Sequence, residues 1–245
     1  SYGQVGNANL GGRRFAYLST ITDDYETLNM YKWGLDSSYG LTGMAEGEFA
    51  VQDLTWEIVN KMNLGVELGF LNGMIDLQLD YFDERRKDIF MPRESVPMTA
   101  GFMKQPWKNF GKVTNQGVEV SLNVNKQFGK DLFVSLMGTF TYAHNEITEK
   151  DEPSAVVGTN RAETGHPVGQ LTGYIAEGLF TADDFEDVST GKLKEGIPTQ
   201  SFVGKLRPGD IRYRDVNGDG KVDVFDKSPI GGTKDCLLYT SPSPR

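Results

Sequence analysis

Two stretches of strict alternation between apolar and polar residues constrain this chain more than any other feature of its sequence. In residues 61–84 the alternation runs on both sides of Asn72-Gly73, and in residues 116–143 it runs on both sides of the turn sequence KQFGKD. Asn-Gly between two alternating runs is a strong signal for a β-hairpin, because both residues accept the backbone conformation of a tight turn. The predicted antiparallel pairs are 61–71 with 74–84 and 116–126 with 132–143.

The length of these strands indicates a membrane. Each predicted strand has about 10 to 12 residues, whereas about 5 to 6 is usual, and about 10 alternating residues let a tilted strand cross a bilayer. Short turns at 72–73 and 127–131 alternate with long spans from about 85 to 115 and from about 144 onward. Outer-membrane barrels have this asymmetry, with short periplasmic turns and long outer loops. The sequence therefore predicts an all-β fold, as part of a large antiparallel transmembrane β-barrel with long extracellular loops.

The two faces of the predicted strands differ in polarity, so in a barrel one would meet lipid and the other a wet lumen. The candidates for the lipid face are Met62, Leu64, Val66, Val118 and Val120. The candidates for the lumen wall are Asp76, Gln78, Asp80, Glu119, Ser121, Asn123 and Asn125. A soluble sandwich or barrel also alternates, with its apolar face turned inward. Strand length and the two kinds of connection favour the membrane barrel over that alternative.

The regular alternation stops near residue 144. Predicted barrel strands and their loops occupy 1–143, and a long extracellular loop region occupies 144–235, within which TGYIAEGLF predicts one short strand. A connection of this length is expected to carry its own substructure or function. Residues 236–245, CLLYTSPSPR, contain the one cysteine, Cys236, and resemble the translated read-through of a transposase sequencing adapter. We therefore expect the natural chain to depart from this sequence near Asp235.

The loop DVNGDGKVDVFD, residues 215–226, has the oxygen-rich spacing that a hard cation such as Ca²⁺ prefers. The candidate ligands are Asp215, Asn217, Asp219, the backbone carbonyl of Lys221, Asp223 and Asp226. The last ligand is Asp where a helical calcium loop carries Glu, so weaker binding is expected. Pro229 and the glycines after it exclude a long helix on that side. An acidic, glycine-rich turn that needs no metal is the alternative.

Composition excludes several functions. The chain has 29 glycines and 11% aromatic residues, which suits a β-rich protein, and no basic stripe accompanies its formal net charge of -9, so nucleic acid is not an expected partner. No catalytic constellation is present. The sequence-adjacent carboxylates Glu46 and Glu48, or Asp183 and Asp184, lie in polar loop sequence, and neither histidine belongs to a metal or nucleophile motif. An enzyme is therefore not predicted.

Two tryptophans are candidates for roles at the ends of strands. Trp107, in GFMKQPWKNFGK, lies on a predicted outer loop and is a candidate for contact with a ligand or a partner. Trp56 precedes the first hairpin and is predicted to anchor the strand at the membrane interface.

Six phrases of the sequence carry a resemblance to a known family. In order, they are SYGQVGN, DLTWE, NKMNLGVELGFLNGMIDLQLDYFDERRKDIF, NFGKVTNQGVEVSLN, PVGQLTGYIAEGLF and GDIRYRDVNGDGKVDVFDKSPIG. Together they resemble the C-terminal half of the SusC/RagA-type TonB-dependent outer-membrane transporters, over nearly all of residues 1–235.

The resemblance implies a barrel of about 22 strands with an N-terminal plug, energised through TonB, that imports glycans or peptides across the outer membrane of Bacteroidetes. It also implies a SusD-like surface lipoprotein as a lid and an extracellular position for the loop 215–226. On this reading the plug and the TonB-interacting segment lie outside this sequence, and the chain is a fragment that forms an open, curved antiparallel sheet. The alternative is a secreted, calcium-stabilised β-rich module that binds carbohydrate or acts as an adhesin.

Overall fold

A computed structural model describes residues 1–8, 10–22, 31–33, 35, 39–41, 44–102 and 104–234 of the chain. The stretch 236–245, for which an adapter origin is expected, and Cys236 within it lie outside the described residues. The structure divides into two compact units, one from Ser1 to Pro153 and the other beginning at Ser154. In the described part of the chain, no helix has the length and apolarity needed to cross a membrane.

Strands dominate both units, which confirms the all-β prediction. In chain order the strands are β1 (Tyr2–Asn7), β2 (Thr20–Thr22), β3 (Tyr31–Trp33), β4 (Tyr39–Leu41), β5 (Ala45–Glu48), β6 (Glu57–Phe70), β7 (Ile75–Pro92), β8 (Trp107–Phe128), β9 (Leu132–Glu149), β10 (Gln170–Gly173), β11 (Ala176–Leu179), β12 (Phe185–Asp187), β13 (Lys192–Leu193), β14 (Thr199–Gln200), β15 (Ile211–Tyr213), β16 (Lys221–Val222) and β17 (Ser228–Thr233). Short 3₁₀ helices are present at Met98–Ala100, Ala182–Asp184 and Val224–Asp226.

The first unit is built on a five-stranded antiparallel sheet in the order β1-β6-β7-β8-β9. Strands β6 and β7 pair through the register of Lys61 with Glu84, and strands β8 and β9 pair through the register of Gln116 with His144. Both predicted hairpins are therefore confirmed. Strands β2 and β5, and strands β3 and β4, form two further small antiparallel sheets.

The register of the large sheet gathers its aliphatic and aromatic side chains on one face, called here the apolar face. Its cross-strand rows are Leu64–Tyr81–Val118–Tyr142, Val66–Leu79–Val120–Phe140, Leu68–Leu77–Leu122–Gly138 and Phe70–Ile75–Val124–Leu136. Many of these side chains are uncovered: Leu64 is 58% exposed, Phe140 62% and Leu136 63%. Four of the predicted lipid-face residues lie in these rows: Leu64, Val66, Val118 and Val120. The fifth, Met62, continues the same alternation on β6.

The height of the apolar face matches a bilayer. On β9 it extends from Leu132 to Tyr142, which is ten residue steps. At about 3.4 Å per residue this is about 34 Å along the strand, or about 26 Å of height at a tilt of about 40°, close to the apolar band of about 25 Å in outer-membrane barrels. The buried aliphatic side chains of the sheet strands, Val59 and Ile147, lie outside this band.

Polar side chains and glycines line the opposite face of the same strands, called here the polar face. Its rows are Gly65–Asp80–Glu119–Thr141, Glu67–Gln78–Ser121–Thr139 and Gly69–Asp76–Asn123–Met137. Asn125 follows in the same alternation and accepts a hydrogen bond of 2.7 Å from the Ser135 hydroxyl. The predicted lumen-wall residues therefore share one face.

The connections differ from the predicted ones in length. The ladder of the first hairpin ends at the pair of Phe70 with Ile75, so its turn has four residues, 71–74, instead of the predicted two. Leu71 and Asn72 both have positive φ, of 55° and 57°, and the Leu71 carbonyl accepts from the Met74 N–H. The second turn has three residues, 129–131, because Phe128 still pairs with Leu132.

The predicted long span from about 85 to 115 is mostly strand. Strand β7 continues to Pro92 and β8 begins at Trp107, so the connecting loop covers only 93–106. The pairing is interrupted by a bulge at Asp88, which has a φ of 59° and leaves the register between Arg86 and Ile89 shifted. Strand β9 likewise continues past residue 143 to Glu149.

The unit from Ser154 onward consists of small two-stranded sheets around a compact core. The pairs are β10 with β17, β11 with β15, β12 with β13, and β14 with β16, of which the last is parallel. Phe180, Phe185 and Leu206 are buried together. The phrase TGYIAEGLF forms parts of two strands, β10 and β11, and the prediction of one strand there is wrong because the pairing partner changes from β17 to β15.

Candidate functional site

The polar face of the large sheet is shaped by glycines opposite carboxylates. A Cβ atom on Gly65 would lie 2.5 Å from Asp80 Oδ1, so a larger residue there would displace that carboxylate. Gln78 Nε2 donates a hydrogen bond of 2.9 Å to Asp80 Oδ2. Glu67, Asp76 and Ser121 line a shallow cavity of about 420 Å³ beside this pair. The glycines therefore leave room for polar groups to meet a ligand or water.

The polar face carries several carboxylates at the level of the apolar band. They are Glu67, Asp76, Asp80 and Glu119. Among the described residues, none of these four forms an ion pair. Carboxylate and amide oxygens accept hydrogen bonds from the hydroxyl groups of sugars and from the N–H groups of peptides. This face has the hydrogen-bonding chemistry of a polar conduit.

Above the apolar band, the same polar face is braced by cross-strand ion pairs and one aromatic contact. Lys61 Nζ lies 2.7 Å from Glu84 Oε1, and Arg86 Nη1 lies 2.9 Å from Glu57 Oε1. The Phe82 ring covers its cross-strand partner Gly117, where a Cβ atom would lie 2.5 Å from the ring. An aromatic ring that covers a cross-strand glycine replaces the packing that the glycine lacks.

The loop 215–226 is organised around the buried carboxylate of Asp226. This side chain has no exposed surface, and Val222 beside it in the loop is equally buried. Asp226 Oδ1 accepts hydrogen bonds from the N–H groups of Val216 at 2.9 Å and Asn217 at 3.3 Å, and Oδ2 accepts from Asp223 N–H at 2.7 Å. One carboxylate therefore joins the beginning of the loop to its end.

The other predicted calcium ligands also accept hydrogen bonds from backbone N–H groups within the loop. Asp215 accepts from Gly218 at 2.6 Å and Gly220 at 2.7 Å, Asn217 from Asp219 at 2.9 Å, Asp219 from Lys221 at 2.8 Å, and Asp223 from Phe225 at 2.8 Å. The described residues contain no group of three or more His, Cys, Asp or Glu side chains placed to share a metal ion. The present arrangement is a turn closed by its own hydrogen bonds and does not fit a cage of carboxylates around a cation. Calcium binding by this loop stays a prediction.

Trp107 is the first residue of β8, where it pairs with Pro92, so its predicted position on an outer loop is wrong. The ring is half-buried, with the Arg13 guanidinium carbon 4.5 Å from the ring centroid and the Phe90 ring centroid at 5.1 Å. A cation over one face leaves less of the ring for stacking with a ligand. Contact of Trp107 with a ligand or partner stays a prediction.

Trp56 is 65% exposed and its ring lies against Gly6 of β1. A Cβ atom on Gly6 would lie 2.6 Å from the Trp56 ring. Like Phe82 over Gly117, this ring covers a glycine of the neighbouring strand. The role of Trp56, just before β6, as an anchor at the membrane interface stays a prediction.

Two polar clamps near the long connections were not predicted from the sequence. Asp151 accepts hydrogen bonds from Arg93 Nε at 2.9 Å, Ser95 N–H at 3.1 Å and the Ser95 hydroxyl at 3.0 Å. Burial alone would raise the pKa of the Asp151 carboxyl, but the hydrogen bonds from Arg93 and Ser95 outweigh it and lower that pKa. The clamp therefore fixes the start of the 93–106 connection to the end of β9.

The second clamp is the Asn109 side chain. Its Nδ2 donates to the Thr55 carbonyl at 3.0 Å and to the Asp88 carbonyl at 2.8 Å, and its Oδ1 accepts from the Thr55 N–H at 3.0 Å. The bulge at Asp88 and the segment that leads into β6 are both held to β8 by one amide.

Comparison with known proteins agrees with this two-faced sheet. The model of the family described as "TonB dependent receptor-like, beta-barrel" matches residues 1–229. The TonB-dependent receptor SusC of Bacteroides thetaiotaomicron is 28% identical over 240 residues, which are 92% of this chain and 21% of that protein. The TonB-dependent receptor P3 of Formosa agariphila is 23% identical over 244 residues, 94% of this chain and 22% of that protein.

Solved structures show the same fold. The RagAB peptide importer in its closed-closed state superposes with a TM-score of 0.58 at 20% identity, over 94% of this chain and 22% of that chain. Its open-open state gives a TM-score of 0.58 at 21% identity, with the same coverage. This chain therefore spans only about a fifth of the length of the proteins that it matches. These relatives are receptors and importers and not enzymes, in agreement with the expectation from the sequence.

Proposed function

This chain belongs to the TonB-dependent receptor-like β-barrel family, and from this membership we propose that the protein containing it imports glycans or peptides across the outer membrane. In this proposal, a SusD-like surface lipoprotein covers the barrel from outside and TonB supplies energy through a plug. The similarity to a peptide importer supports a peptide cargo, and the family resemblance implies the glycan cargo and the lipoprotein partner.

The observation that carries the proposal is the large sheet with one uncovered apolar face and one polar face. Soluble proteins rarely leave contiguous apolar patches of more than a few hundred Å² bare. A transmembrane strand instead needs an outward apolar side, and it satisfies its backbone hydrogen bonds with neighbouring strands. The four rows of apolar residues from β6 to β9 fulfil the first requirement, and their continuous ladders fulfil the second.

The polar face suits the wall of an import path. Its carboxylate, amide and hydroxyl groups offer hydrogen-bond acceptors and donors along a shallow surface. Its glycines lack side chains that would cover these groups. A solute that passes such a wall exchanges hydrogen bonds with water for hydrogen bonds with the protein at little net free energy. Neutral glycans and peptides fit this surface, and the side chains that select among them belong to the whole transporter.

The rival function is the secreted, calcium-stabilised module that binds carbohydrate or acts as an adhesin. Such a module would have to bury the apolar face in its own core. The exposed fractions of Leu64, Leu136 and Phe140 show that the described residues of this chain do not cover that face. The membrane barrel is therefore the better proposal for the sheet.

Neighbouring residues on β9 provide a direct test. Thr139 lies on the polar face and Phe140 on the apolar face of the same strand. In a full-length transporter that carries this chain and is expressed in an outer membrane, we expect a hydrophilic maleimide to label Thr139→Cys and to leave Phe140→Cys unlabelled. After transfer into detergent-free buffer the full-length protein should aggregate.

Import itself is tested in the same cells. Deletion of the gene should abolish growth on at least one glycan or peptide source, and loss of TonB should have the same effect. Purification from solubilised outer membranes should recover a surface lipoprotein with the transporter. A full-length protein that is monodisperse without detergent, with Phe140→Cys protected in its interior, would overturn the proposal.

A further inference from the structure

A cavity of about 280 Å³ lies in the unit that begins at Ser154. Arg161, Lys227 and Lys234 are among the residues that line it, together with His166. Among the described residues of the wall, Glu163 is the one acidic side chain. The wall therefore has a net positive charge, although the formal net charge of the whole chain is -9. We propose that this cavity binds a small organic carboxylate, of about the size of one sugar ring.

A side-chain amide joins the two chain segments that carry Arg161 and Lys227. Asn160 Nδ2 donates to the carbonyl oxygens of Phe225 at 3.1 Å and Lys227 at 2.6 Å. This amide ties the segment that carries Arg161 to the segment that carries Lys227. The Arg161 guanidinium carbon lies 4.8 Å from the centroid of the Phe225 ring. The backbone segments that carry the two cations are thus joined before any ligand arrives, which lowers the entropy cost of ordering them on binding.

The sheet of β10 and β17 forms another side of the cavity and is fixed by Gln170. Its Nε2 atom approaches the carbonyl oxygens of Leu171 at 3.1 Å, Ile230 at 3.4 Å and Gly232 at 3.4 Å, where the register of the two strands shifts. The amide of Gln170 is therefore satisfied by the protein. A carboxylate ligand would therefore bind to the cationic residues and not to Gln170.

Two of these cations lie over aromatic rings. Arg161 lies over Phe225, and Lys227 Nζ lies 5.7 Å from the centroid of the Tyr174 ring. Within the described part of the chain, no carboxylate lies within ion-pair distance of Arg161, Lys227 or Lys234. A cation over a ring face keeps its N–H groups available at its edge, and a guanidinium can bind a carboxylate with two parallel hydrogen bonds. A bound carboxylate would therefore receive charge-assisted hydrogen bonds from cationic groups of the wall.

Two probes of equal ring size test the charge requirement, D-glucuronate and D-glucose. Isothermal titration calorimetry of the full-length transporter in detergent, at low ionic strength, should show binding of glucuronate and none of glucose. Arg161→Gln and Lys234→Gln should each weaken glucuronate binding about tenfold. The matched control is Lys192→Gln, because Lys192 pairs with Glu186 at 2.7 Å in the same unit but does not line the cavity. This control should bind glucuronate like the wild type.

The proposal is overturned if glucose binds as tightly as glucuronate, if neither cavity variant weakens binding, or if Lys192→Gln weakens it equally. Hydrogen exchange of residues 160–172 and 224–234 identifies a variant that has lost its local fold. Should Arg161→Gln do so, Lys234→Gln decides the question, since the Lys234 side chain has no hydrogen bond or ion pair among the described residues. The proposal does not depend on import, because glucuronate binding is measured on the purified protein.

Discussion

The side-chain amide of Asn109 donates a hydrogen bond of 2.8 Å to the carbonyl oxygen of Asp88, the residue at which the ladder between β7 and β8 bulges. Asp88 has a φ of 59°, a conformation that is uncommon for residues other than glycine, so the bulge needs support from its surroundings. The same amide also holds Thr55, just before β6 begins. Asn109 is thus a positioning residue for two segments at the long-loop end of the sheet.

Replacement of this amide should loosen both segments. In Asn109→Ala the partly buried Asp88 carbonyl loses its partner, at a cost of about 1–3 kcal/mol, and the exposed N–H and carbonyl of Thr55 lose theirs, at about 0.5–1.5 kcal/mol each. We expect hydrogen exchange in the full-length transporter to accelerate at least about tenfold in residues 52–57 and 86–91, since each tenfold change is about 1.4 kcal/mol. Mass spectrometry of peptic fragments measures this.

Asn125→Ala is the matched control for Asn109→Ala. Asn125 lies on the polar face, where its Oδ1 accepts a hydrogen bond from the Ser135 hydroxyl in an exposed part of the sheet. Exchange in 52–57 and 86–91 should be unchanged in this variant. Equal acceleration in the two variants would contradict the role assigned to Asn109.

Local sequence signals predicted the part of the sheet inside the membrane and failed outside it. Between Leu64 and Phe70 the apolar and polar residues alternate because one face meets lipid and the other meets water. In β7 beyond Asp83 the strand continues, but both of its faces are polar, as the sequence DERRKD shows. The period of two in the side chains disappears there although the backbone pairing persists. For this reason the sequence predicts a longer loop than the structure has.

The polar clamps could not be read from the sequence because their partners are far apart in it. Arg93 and Asp151 are separated by 58 positions, and Thr55 and Asn109 by 54. Each residue stands in polar sequence that is typical of a solvated loop. Only the antiparallel order of β7, β8 and β9 brings the ends of the connections together, and that long-range geometry decides which polar residues become partners.

The buried carboxylate of Asp226 should control the folding of the loop 215–226. Asp226→Ala would leave the N–H groups of Val216, Asn217 and Asp223 without their acceptor in a part of the loop that is fully or partly buried. We expect hydrogen exchange in 214–228 to rise by more than tenfold. Asp226→Asn should have an intermediate effect, because its amide keeps one acceptor oxygen and turns a donor toward other donors.

Asp219→Ala is the comparison for Asp226→Ala. Asp219 is exposed and accepts from the Lys221 N–H and the Asn217 amide. Its loss removes two exposed hydrogen bonds, at about 0.5–1.5 kcal/mol each, and leaves no buried donor, so it should cost less than the loss of Asp226. If Asp219→Ala opened the loop as much as Asp226→Ala, the organisation around Asp226 would be refuted.

We expect calcium to act only weakly on the loop 215–226. The carboxylates already accept backbone hydrogen bonds, so the cation has to compete with them. We expect binding at about 10⁻⁴–10⁻³ M, the range of extracellular calcium modules. The test uses Ca²⁺ at about 10⁻² M, roughly ten times the weakest expected dissociation constant. Proteolysis within 215–226 of the full-length transporter should be slower in this buffer than in excess chelator. An unchanged rate of proteolysis, or equal slowing by Ca²⁺ in Asp215→Ala, would contradict calcium binding by this loop.

The pair of Arg93 and Asp151 should make the 93–106 connection sensitive to acid. The pKa of Asp151 is lowered in the folded protein, so its contribution to stability is complete above the unfolded pKa of about 3.9 and is lost as the pH falls through the folded value. In Arg93→Met the burial of the carboxylate is no longer balanced, and the pKa of Asp151 should rise. Loosening of 93–96 and 149–152, measured as protection factors, should then begin at a higher pH than in the wild type.

Arg85→Met provides the control for this pH dependence. Arg85 also pairs with an aspartate, Asp83, at 3.1 Å, but its side chain is 72% exposed. Exposed ion pairs contribute about 0–1 kcal/mol, so this variant should follow the wild-type pH profile. A similar shift in both variants would show that the loss of one positive charge, and not the loss of the Arg93–Asp151 pair, changes the pH at which protection is lost.

A charge placed on either side of β9 should distinguish lipid from lumen. Leu136 lies in the middle of the apolar band and Met137, its neighbour, on the polar face. An arginine on the lipid side near the bilayer midplane costs about 2–4 kcal/mol, whereas a lumen position tolerates it. We expect Leu136→Arg to reduce the heat-modifiable, folded form of the full-length transporter in outer membranes and Met137→Arg to leave it near the wild-type amount. Both side chains are well exposed, at 63% and 70%, so steric crowding does not explain a difference between them. If Met137→Arg proved the more harmful, the apolar face would have to be packed inside the protein, and the assignment of lipid and lumen would be reversed.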